Sequence, residues 1–598
     1  MLQNTLSPTP SNLAEAPVSP ARKNIPAHLK KYVVEQNYDR YTAEDQAVWR
    51  FLMRQLKDFL STNAHPCYVE GLERTGISVE EIPHINQMDE RLSEFGWGAV
   101  PVSGFIPPAA FMEFQSLGIL PIASDMRSID HLTYTPAPDI VHEAAGHAPI
   151  LINPEFAEYL KRYADVAKNA IISRQDMDQY EAIRRLSDVK ENPASTPAEI
   201  QAAETHLNEV NKKLTSVSEA GWLSRMNWWT AEYGLIGPLM NPKIYGAGLL
   251  SSLGESKECL SAKVLKLPLS IDCIDISYDI TEPQPQLFVA PDFNALNTVL
   301  DQLATRMAFR MGGSIGLQRA KQAEALVTVE LDSGLQISGV LSDYKVKGHD
   351  VDFVRFSGPV ALALDNHQLP EHGRQLHAQG FSSPLGRIEG FDRPLTSASD
   401  SDLANLGIIK GQVAHLQFGS DIEVHGQVVD WVRNKHRLLL IQFESVKVHV
   451  GNEVLFDPAW GRFDMAVGEK VISVFGGAAD RGAYGESEDF ISARVPVRVL
   501  STELKNRCEF YAQVRRLRQG ISASTDTIWA SLHQQYFQEL SHHWLPALEL
   551  IELALMKRLD NFSTEVESLK NHLQKFSTSS SAIKECISNG LRLADRKL

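Results

Sequence analysis

The sequence predicts a multidomain protein in which a mainly α-helical N-terminal part is followed by a β-rich part and a helical C-terminal segment. With 598 residues, the chain is too long for one hydrophobic core, so two to four domains are expected. Apolar residues recur at helical spacing between Tyr41 and Phe59, whereas they alternate with polar residues between Val327 and Leu341. Helical spacing returns in the last hundred residues.

The composition is that of an ordinary globular protein, with 43% hydrophobic and 22% charged residues. A formal net charge of −16 argues against nucleic-acid binding through a basic surface. The five cysteines form no CxxC pair, which indicates free thiols in a reducing compartment. We expect residues 1–24, rich in Pro, Ser, Asn and Ala, to be a disordered tail. No apolar run has transmembrane length, so a cytoplasmic protein without membrane or nucleic-acid partners is predicted.

A polar section, residues 173–218, interrupts the N-terminal part and predicts an inserted pair of helices. Within it, Thr196-Pro197-Ala198-Glu199 combines a capping residue, a first-turn proline and a Glu three residues after the Thr, which is a good helix start. The pair is either a lid over a pocket or a surface insertion, because long connections are uncommon and some are functional.

The β-rich part, residues 320–505, contains a weak internal repeat with an offset of 87 residues. The repeat maps Leu331, Ser333, Leu335, Ile337, Gly339, Asp343 and Tyr344 onto Phe418, Ser420, Ile422, Val424, Gly426, Asp430 and Trp431. It indicates two small barrel-like modules or two similar hairpins in one sheet domain; ordinary strand patterning would also produce such alternation.

The C-terminal part, residues 506–598, carries apolar residues spaced alternately four and three apart. They are Leu555, Leu559, Phe562, Val566, Leu569, Leu573 and Phe576. This spacing predicts a coiled-coil-like helix over about three heptads. An exposed seam of this kind needs cover, so we expect a second subunit of a homo-oligomer or another part of this chain to pack against it.

His142 and His147, five residues apart in Val-His-Glu-Ala-Ala-Gly-His-Ala-Pro149, are candidate metal ligands. In a regular helix, side chains five apart point about 140° away from each other, and metalloprotease zinc helices space their histidines four apart instead. Because Gly146 precedes the second histidine and Pro149 follows it, we expect His142 on a short helix and His147 at its frayed end. The alternative is two core or surface histidines without a metal.

Several sequence blocks around this pair resemble, in the same order, the catalytic core of the pterin-dependent aromatic amino acid hydroxylases. The blocks are Pro101-Val-Ser-Gly-Phe105 with Phe111, Arg127 before Tyr134-Thr135-Pro136, the histidine pair, Trp228-Trp-Thr-Ala-Glu232-Tyr-Gly234, Ile244 to Glu255, and Asp279 to Pro285. The resemblance covers about residues 25–311, roughly half of the chain. It implies a mainly α catalytic domain of this hydroxylase type.

The resemblance implies a non-haem Fe(II) monooxygenase that uses O2 and a tetrahydropterin, most simply a phenylalanine 4-monooxygenase of the bacterial long form. Two histidines and a carboxylate suit iron(II) in oxygenases, although zinc hydrolases use the same ligand types. By resemblance, the metal ligands are His142, His147 and Glu232. Glu232 lies in an apolar and aromatic stretch where an unpaired buried carboxylate would be costly, although a helix-surface Glu is the alternative.

The remaining candidate residues are also assigned by the resemblance. A guanidinium recognises a carboxylate with paired donors, which suits Arg127 for an amino acid substrate. The other implied substrate contacts are Thr135, Pro136, Trp228, Ser251 and Ser252, and the implied cofactor contacts are Phe111, Glu143 and Ile106. Asp139, three residues before His142, is expected either to accept a hydrogen bond from a ligand imidazole or to cap the helix.

The sequence departs from the family in two features. An animal-type N-terminal regulatory domain has no room before residue 25, and Pro121 stands where animal members carry a histidine near the pterin. Pocket shape sets ring preference, so tryptophan or tyrosine hydroxylation is the first alternative. A zinc hydrolase and a non-catalytic scaffold are the others. Nothing in the family's core accounts for residues 320–598.

Overall fold

The protein, seen in a computed structural model, is divided along the chain into a mixed N-terminal region, two β-sheets and a C-terminal set of helices. The structure describes residues 18–104, 106–132, 139–191, 195–214, 216–279, 282–348, 350–485, 501–521, 524–576 and 581–596. Among these residues, no helix combines the length and apolarity that a bilayer span requires.

The N-terminal region is built from helices around two small sheets. Its α-helices are Pro20–Lys23 (α1), Ala43–Asn63 (α2), Cys67–Arg74 (α3), Ile85–Ser93 (α4), Pro108–Ser116 (α5), Pro154–Ala167 (α6), Arg174–Glu191 (α7), Pro197–Lys213 (α8), Glu219–Asn227 (α9), Ala247–Leu250 (α10), Glu255–Glu258 (α11), Phe293–Ala304 (α12) and Ala308–Met311 (α13). Two segments, Val141–His147 and Trp228–Glu232, are π-helical. The 3-10 helices are Ala27–Tyr32, Tyr38–Arg40, Ile129–His131, Ala148–Ile152 and Ile271–Asp275.

The strands of this region are short and mainly buried. They are Gly98–Val102 (β1), Ile119–Ala123 (β2), Leu235–Ile236 (β3), Lys243–Ile244 (β4), Leu265–Pro268 (β5) and Gln286–Ala290 (β6). Strands β1 and β2 form a parallel pair, and the other four form a sheet in the order β4-β3-β6-β5. The region is therefore mainly helical, as the sequence predicts, and it also contains two small sheets.

Of two predictions for this region, one is confirmed and the other is wrong in part. The predicted helix at Tyr41–Phe59 is present as α2, which starts with a capping box between Thr42 and Asp45. Part of the predicted disordered tail is packed, because Ser19 is buried and its backbone N–H and hydroxyl both donate to Asp89. Residues 1–17 of that tail lie outside the described residues.

The polar section forms the expected helical pair, with α7 packed against α8. Helix α8 begins with the capping box that its sequence predicts, since Thr196 and Glu199 exchange hydrogen bonds. Because α8 is polar and largely exposed, tertiary packing supplies little of its stability, and this local cap supplies part of it.

The β-rich region consists of two sheets, each with its own hydrophobic cluster. Its strands are Leu326–Leu331 (β7), Leu335–Lys347 (β8), Asp350–Leu364 (β9), His367–Gln368 (β10), Gly380–Pro384 (β11), Val413–Gln417 (β12), Ile422–Asn434 (β13), Arg437–Val450 (β14), Glu453–Phe456 (β15), Phe463–Ala466 (β16) and Val471–Gly476 (β17). The first sheet has the order β10-β9-β8-β7-β17, with β11 also on β9. The second has the order β12-β13-β14-β15, with β16 also on β14.

Three short α-helices or helical turns accompany these sheets. They are Gly313–Ala323 (α14), Asp400–Asn405 (α15) and Arg481–Tyr484 (α16), with 3-10 turns at Leu395–Ser397 and Pro458–Trp460. Helix α14 packs on the first sheet and contributes Leu317 and Ala320 to its hydrophobic cluster. The first sheet is therefore attached directly to the end of the N-terminal region.

The long hairpins β8–β9 and β13–β14 bend at equivalent places. Register shifts flank Gly339 in β8 and Gly426 in β13, which are equivalent in the 87-residue repeat. Both glycines allow a close approach, because an added Cβ would lie 2.7 Å from Val360 or 2.6 Å from Val446. Further shifts also recur at the same offset. These shared irregularities support two copies of one module, which we propose as the organisation of this region.

The C-terminal helices do not form the predicted continuous seam. They are Thr502–Arg518 (α17), Thr525–Gln535 (α18), Trp544–Lys557 (α19), Ser563–Lys575 (α20) and Ser581–Arg596 (α21), with a π-helical segment at Tyr536–Leu540 and a 3-10 turn at Asp560–Phe562. Arg558 adopts a left-handed conformation and ends α19, so the chain turns between Leu555 and Leu559, the first two residues of the predicted seam. The coiled-coil prediction is therefore wrong, although Val566, Leu569 and Leu573 are buried.

The seam residues are covered within this chain, in the same hydrophobic cluster that forms the core of the N-terminal region. Trp544 of α19 packs edge-to-face on Phe51 of α2, with ring centroids 4.9 Å apart. The C-terminal helices are thus part of the N-terminal core. A second subunit is not required to cover this seam.

A buried ion-pair network fixes the C-terminal helices to α2. The carboxylate of Glu549 accepts from Arg50 at 3.1 and 2.9 Å and from Arg518 at 3.0 Å. Burial raises the pKa of Glu549, but the two guanidinium groups outweigh this effect and hold the pKa well below its ordinary value. Because the folded pKa is lower than the unfolded one, this stabilisation is present at neutral pH and is lost as the pH falls.

We expect Glu549→Gln to lower the free energy of unfolding by about 3–5 kcal/mol, because it leaves the buried Arg50 without its counter-charge and Arg518 with Glu552 alone. Urea unfolding followed by the helical circular-dichroism signal measures the change. The exposed Glu567 of α20 offers a control, since Glu567→Gln should change stability by less than about 0.5 kcal/mol. Equal urea midpoints for the two variants would contradict this role of the network.

Candidate active site

Three candidate ligand side chains converge at the ends of two π-helical segments. Nε2 of His142 lies 3.3 Å from Oε2 of Glu232, and Nε2 of His147 lies 3.3 Å from Oε1 of the same carboxylate. The imidazole centroids are 5.0 Å apart, with the ring planes at 85°. His147 is buried, whereas His142 and Glu232 are partly exposed to a cavity. The structure thus brings together the three residues that the sequence selects as metal ligands.

The π-helical backbone explains why the histidines are five residues apart. A π-helix pairs each residue with the fifth one along, so side chains five apart lie on nearly the same face. A regular α-helix would separate them by about 140°. The prediction that His147 lies at a frayed helix end is therefore wrong. His147 is the last residue of the π-helical segment, and the 3-10 helix Ala148–Ile152 follows it directly.

Glycines allow the ligand segments to approach α10 closely. A Cβ added at Gly146 would lie 2.7 Å from the carbonyl oxygen of Ala247, and one added at Gly246 would lie 2.4 Å from that of Glu232. Real Cβ atoms do not approach carbonyl oxygens so closely, so side chains at these positions would push the segments apart. The second π-helical segment is closed by a hydrogen bond from the Tyr233 N–H to the Trp228 carbonyl, at 2.8 Å.

The hydrogen bonds of Ser251 favour one tautomer of His142. Its hydroxyl donates to the carbonyl of Ala247 at 2.8 Å, so its oxygen is free to accept from Nδ1–H of His142 at 3.2 Å. Nε2 of His142 then carries a lone pair and faces a carboxylate oxygen of Glu232 at 3.3 Å. Two acceptors at this distance repel each other unless a cation or a proton lies between them. The donor set therefore fits a divalent metal ion.

Asp139 has a different role from the predicted imidazole contact. Its carboxylate accepts two hydrogen bonds of 2.7 Å from the guanidinium of Arg127, and it accepts the backbone N–H of His142 at 3.0 Å. The capping alternative thus matches the observed backbone contact. Burial raises the pKa of Asp139, but the adjacent Arg127 outweighs it and lowers the pKa below its ordinary value. The pair connects the ligand segment to Arg127.

The two glutamates of the centre differ in their electrostatic surroundings. Burial raises the pKa of Glu232, but the imidazoles of His147 and His142 outweigh burial and hold the pKa well below its ordinary value. Burial raises the pKa of Glu143 to about 8, although His147 opposes the shift. Oε2 of Glu143 is buried without a hydrogen-bond partner among the described residues. Glu143 also lines the cavity, whose volume is about 480 Å³.

Aromatic side chains form one wall of this cavity. The indole of Trp228 is stacked between Tyr233 and Tyr278, with centroid distances of 4.4 and 4.3 Å and interplanar angles of 23° and 9°. The resemblance selects Trp228, but it does not select Tyr278, Tyr163 or the other residues found in the wall. The unselected lining residues include Met112, Tyr163, Ile183, Asn227, Tyr233 and Tyr278. No spacing pattern in the sequence distinguishes them from ordinary core residues.

The other predicted contacts are distributed unevenly. Phe111 and Ser252 line the cavity. Ile106 instead belongs to a separate hydrophobic cluster and is not among the described residues that line the cavity, so the structure does not bring it into contact with the site. Thr135 and Pro136 lie outside the described residues.

Taken together, two imidazoles and a carboxylate at the base of a largely apolar cavity form a group that could hold one metal ion in a two-histidine, one-carboxylate arrangement. Comparison with known proteins narrows this class. Residues 20–167 and 213–312 match the model of the biopterin-dependent aromatic amino acid hydroxylases, which is the family that the sequence resembles. The resemblance seen in the sequence is thereby confirmed.

The relatives are phenylalanine-4-hydroxylases. The one from Chromobacterium violaceum is 29% identical over 291 residues, which are 46% of this chain and 83% of that protein. The one from Ralstonia nicotianae is also 29% identical, over 46% of this chain and 78% of that protein. A solved structure of the Chromobacterium violaceum enzyme with iron(III) and 7,8-dihydrobiopterin is 27% identical, with a TM-score of 0.36, and covers 47% of this chain and 92% of that chain.

The gap in the family match coincides with the helical pair α7–α8. Ile183 of α7 and Ile172, just before it, nevertheless line the cavity. The insertion thus forms part of the cavity wall, whereas a surface insertion far from the site would not contact the cavity. Opening and closing of the pair as a lid stays a prediction.

We expect Ser251→Ala to weaken iron(II) binding by about 10- to 100-fold, because His142 loses the acceptor that directs its Nε2 lone pair toward Glu232. Anaerobic titration against a competing chelator measures the affinity. Ser256→Ala is a matched control: Ser256 is also buried, and its hydroxyl instead faces the carbonyl of Leu253. Unchanged iron affinity in Ser251→Ala would show that the serine does not set the tautomer.

Proposed function

We propose that this protein is a phenylalanine 4-monooxygenase, which converts phenylalanine to tyrosine with O2, a tetrahydropterin and non-haem iron(II). The observation that carries the proposal is the convergence of His142, His147 and Glu232 at the base of a cavity that also contains Arg127. The match of residues 20–167 and 213–312 to the hydroxylase family model supports the same reaction class. Hydroxylation of tryptophan or tyrosine is the alternative within this class, because the shape of the cavity sets the ring preference.

In this proposal, Nε2 of His142, Nε2 of His147 and the Glu232 carboxylate hold the iron. Their separations of 3.3 Å would suit three ligands of one metal ion, and all three residues line the cavity. When bound, iron(II) and the reduced pterin together supply the oxygen-activating chemistry. Phe111 and Glu143 line the same cavity and are the proposed pterin contacts.

Arg127 is the proposed partner of the substrate carboxylate. A guanidinium has five N–H donors, of which three are used: two by Asp139 and one by the carbonyl of Ser251. Two donors are left for a carboxylate. Because Asp139 also binds the backbone N–H of His142, the same pair would place the amino acid head group at a fixed distance from the metal ligands.

The stacked Tyr233–Trp228–Tyr278 wall is the proposed contact surface for the substrate ring. Because both faces of Trp228 are covered, the wall favours an aromatic side chain through edge-to-face contact and burial of apolar area. Together with Ile172 and Ile183 on the insertion, it would keep water away from the reacting ring.

The test is reconstitution with iron(II) under anaerobic conditions, followed by O2 consumption with tetrahydropterin and each aromatic amino acid. We expect tyrosine from phenylalanine, and a fall of roughly 100-fold or more in both iron content and turnover for Glu232→Gln. Glu258→Gln, at an exposed position on α11, should behave like the unchanged protein. Another hydroxylated ring would revise only the substrate. Absence of turnover in iron-loaded protein would overturn the proposal and favour a scaffold, whereas hydrolysis with zinc would favour a hydrolase.

We expect Arg127→Lys to raise the KM for phenylalanine by about 10- to 100-fold with a smaller effect on kcat, because an ammonium group does not reproduce the paired donors of a guanidinium. Steady-state kinetics at saturating pterin measures both constants. Arg74→Lys, on the exposed face of α3, is the control for a general effect of this exchange. An unchanged KM would remove Arg127 from substrate binding.

A further inference from the structure

The β-rich region contains a second group of metal-binding side chains, far from the N-terminal centre in sequence. Nδ1 of His372 lies 3.3 Å from Nε2 of His377, and each of these nitrogens lies 3.6 Å from Oδ2 of Asp464. All three residues are buried. As in the N-terminal centre, the two histidines are five residues apart.

The unsatisfied atom in this group is Oδ2 of Asp464. The side chain of Asp464 is only 1% exposed, and this oxygen has no hydrogen-bond partner among the described residues. Its distances to the imidazole nitrogens are too long for hydrogen bonds. A buried carboxylate oxygen without a partner is costly. This oxygen faces two imidazole nitrogens, and a cation shared by the three atoms would be the missing partner.

The separations of the three atoms suit a tetrahedral ion. Bonds of about 2.0–2.1 Å at tetrahedral angles place neighbouring ligand atoms about 3.3–3.4 Å apart. The observed separations of 3.3, 3.6 and 3.6 Å need only small side-chain shifts to reach this geometry. Imidazole nitrogens with one carboxylate oxygen are ligands that zinc and similar divalent ions accept.

The surrounding contacts orient the ligands. The other carboxylate oxygen of Asp464 accepts from Nε of Arg462 at 3.0 Å, which leaves Oδ2 directed at the histidines. The amide nitrogen Nε2 of Gln442 lies 3.4 Å from Nε2 of His372, whereas Asp464 faces Nδ1 of the same ring. With its oxygen turned toward the ring, this amide would accept Nε2–H and leave the Nδ1 lone pair for the ion.

The group lies between the two sheets. The backbone carbonyls of His372 and His377 accept hydrogen bonds from Leu362 and Val360 of β9, which hold both residues on the first sheet. Asp464 belongs to β16 of the second sheet, where it is paired in register with Gln442 of β14. An ion shared by these ligands would therefore connect one sheet to the other.

We propose that His372, His377 and Asp464 bind one divalent transition-metal ion of the zinc type, which links the two sheets of the β-rich region. Three protein ligands bind the ion, and a water molecule completes the tetrahedron. Because the ligands are buried and are held on different sheets, the ion would join the two sheets. This site does not depend on the proposed hydroxylase function.

Zinc stoichiometry in the full chain tests the proposal. The protein is stripped with a chelator, incubated with zinc, passed through a desalting column and analysed by mass spectrometry of the metal. With the N-terminal centre disabled by His142→Ala, we expect about one equivalent of zinc to remain, and this equivalent to be lost on adding Asp464→Asn. Absence of zinc in the His142→Ala protein, or equal zinc with and without Asp464→Asn, would overturn the proposal.

Folding is controlled with further variants in the same His142→Ala chain. His377→Gln removes a different ligand and should also lose the zinc, whereas His415→Gln should retain it. His415 lies on β12 of the same region, is exposed, and pairs with Glu423 outside the cluster. Cobalt(II) then reports the geometry, and an intense visible spectrum typical of tetrahedral coordination is expected only where zinc is retained. A weak octahedral spectrum would contradict the tetrahedral site.

If Asp464→Asn fails to fold even in the presence of zinc, thermal unfolding decides the question with His377→Gln. Zinc should raise the melting temperature of the His142→Ala chain and have no effect after His377→Gln, since ligand binding stabilises only a folded site that can hold it. An equal zinc-dependent rise in both proteins would show that the ion binds elsewhere.

Discussion

The constraint on which the N-terminal region depends is the placement of one carboxylate between two imidazoles. Glu232 can lie 3.3 Å from both rings only because His142 and His147 share a face of their helix, which requires the wider π-helical turn. Irregular backbone of this kind persists only where its surroundings fix it. Here the close approaches at Gly146 and Gly246 and the hydrogen bond between His142 and Ser251 provide that support.

Support for the centre also comes from distant parts of the chain. A second buried carboxylate, Glu219 at the start of α9, accepts from the backbone N–H of Ala308 and from Arg319 of α14, both at 2.6 Å. It thus attaches the first sheet to the helix that leads into the Glu232 segment. The C-terminal helices cover α2 from the other side through Glu549. The parts of the molecule that the family match leaves out are therefore packed against the parts that it includes.

The sequence was sufficient to predict the family, the three candidate ligands and the change from helix to strand, because each depends on local residue patterns. It was insufficient where the outcome depends on distant contacts. From the sequence alone, the hydroxyl of Ser251 could contact the substrate or accept a hydrogen bond from His142. The structure distinguishes these roles, because this hydroxyl donates to Ala247 and its oxygen faces His142. The seam around Leu559 has ideal heptad spacing, yet the left-handed Arg558 turns the chain. His372 and Asp464 are 92 positions apart, and no spacing rule connects them.

The ion pair between α2 and α19 has a consequence for how this protein is made. Arg50 and Glu549 are 499 residues apart, so the ribosome completes most of the chain between them. At synthesis rates of about 5–20 residues per second, roughly 25–100 s separate the two halves of this contact. During that interval, the face of α2 that carries Phe51 has left the ribosome without its partner helix. The nascent N-terminal region must stay soluble with this face uncovered, which makes it a natural substrate for chaperones that bind apolar segments until the last helices arrive.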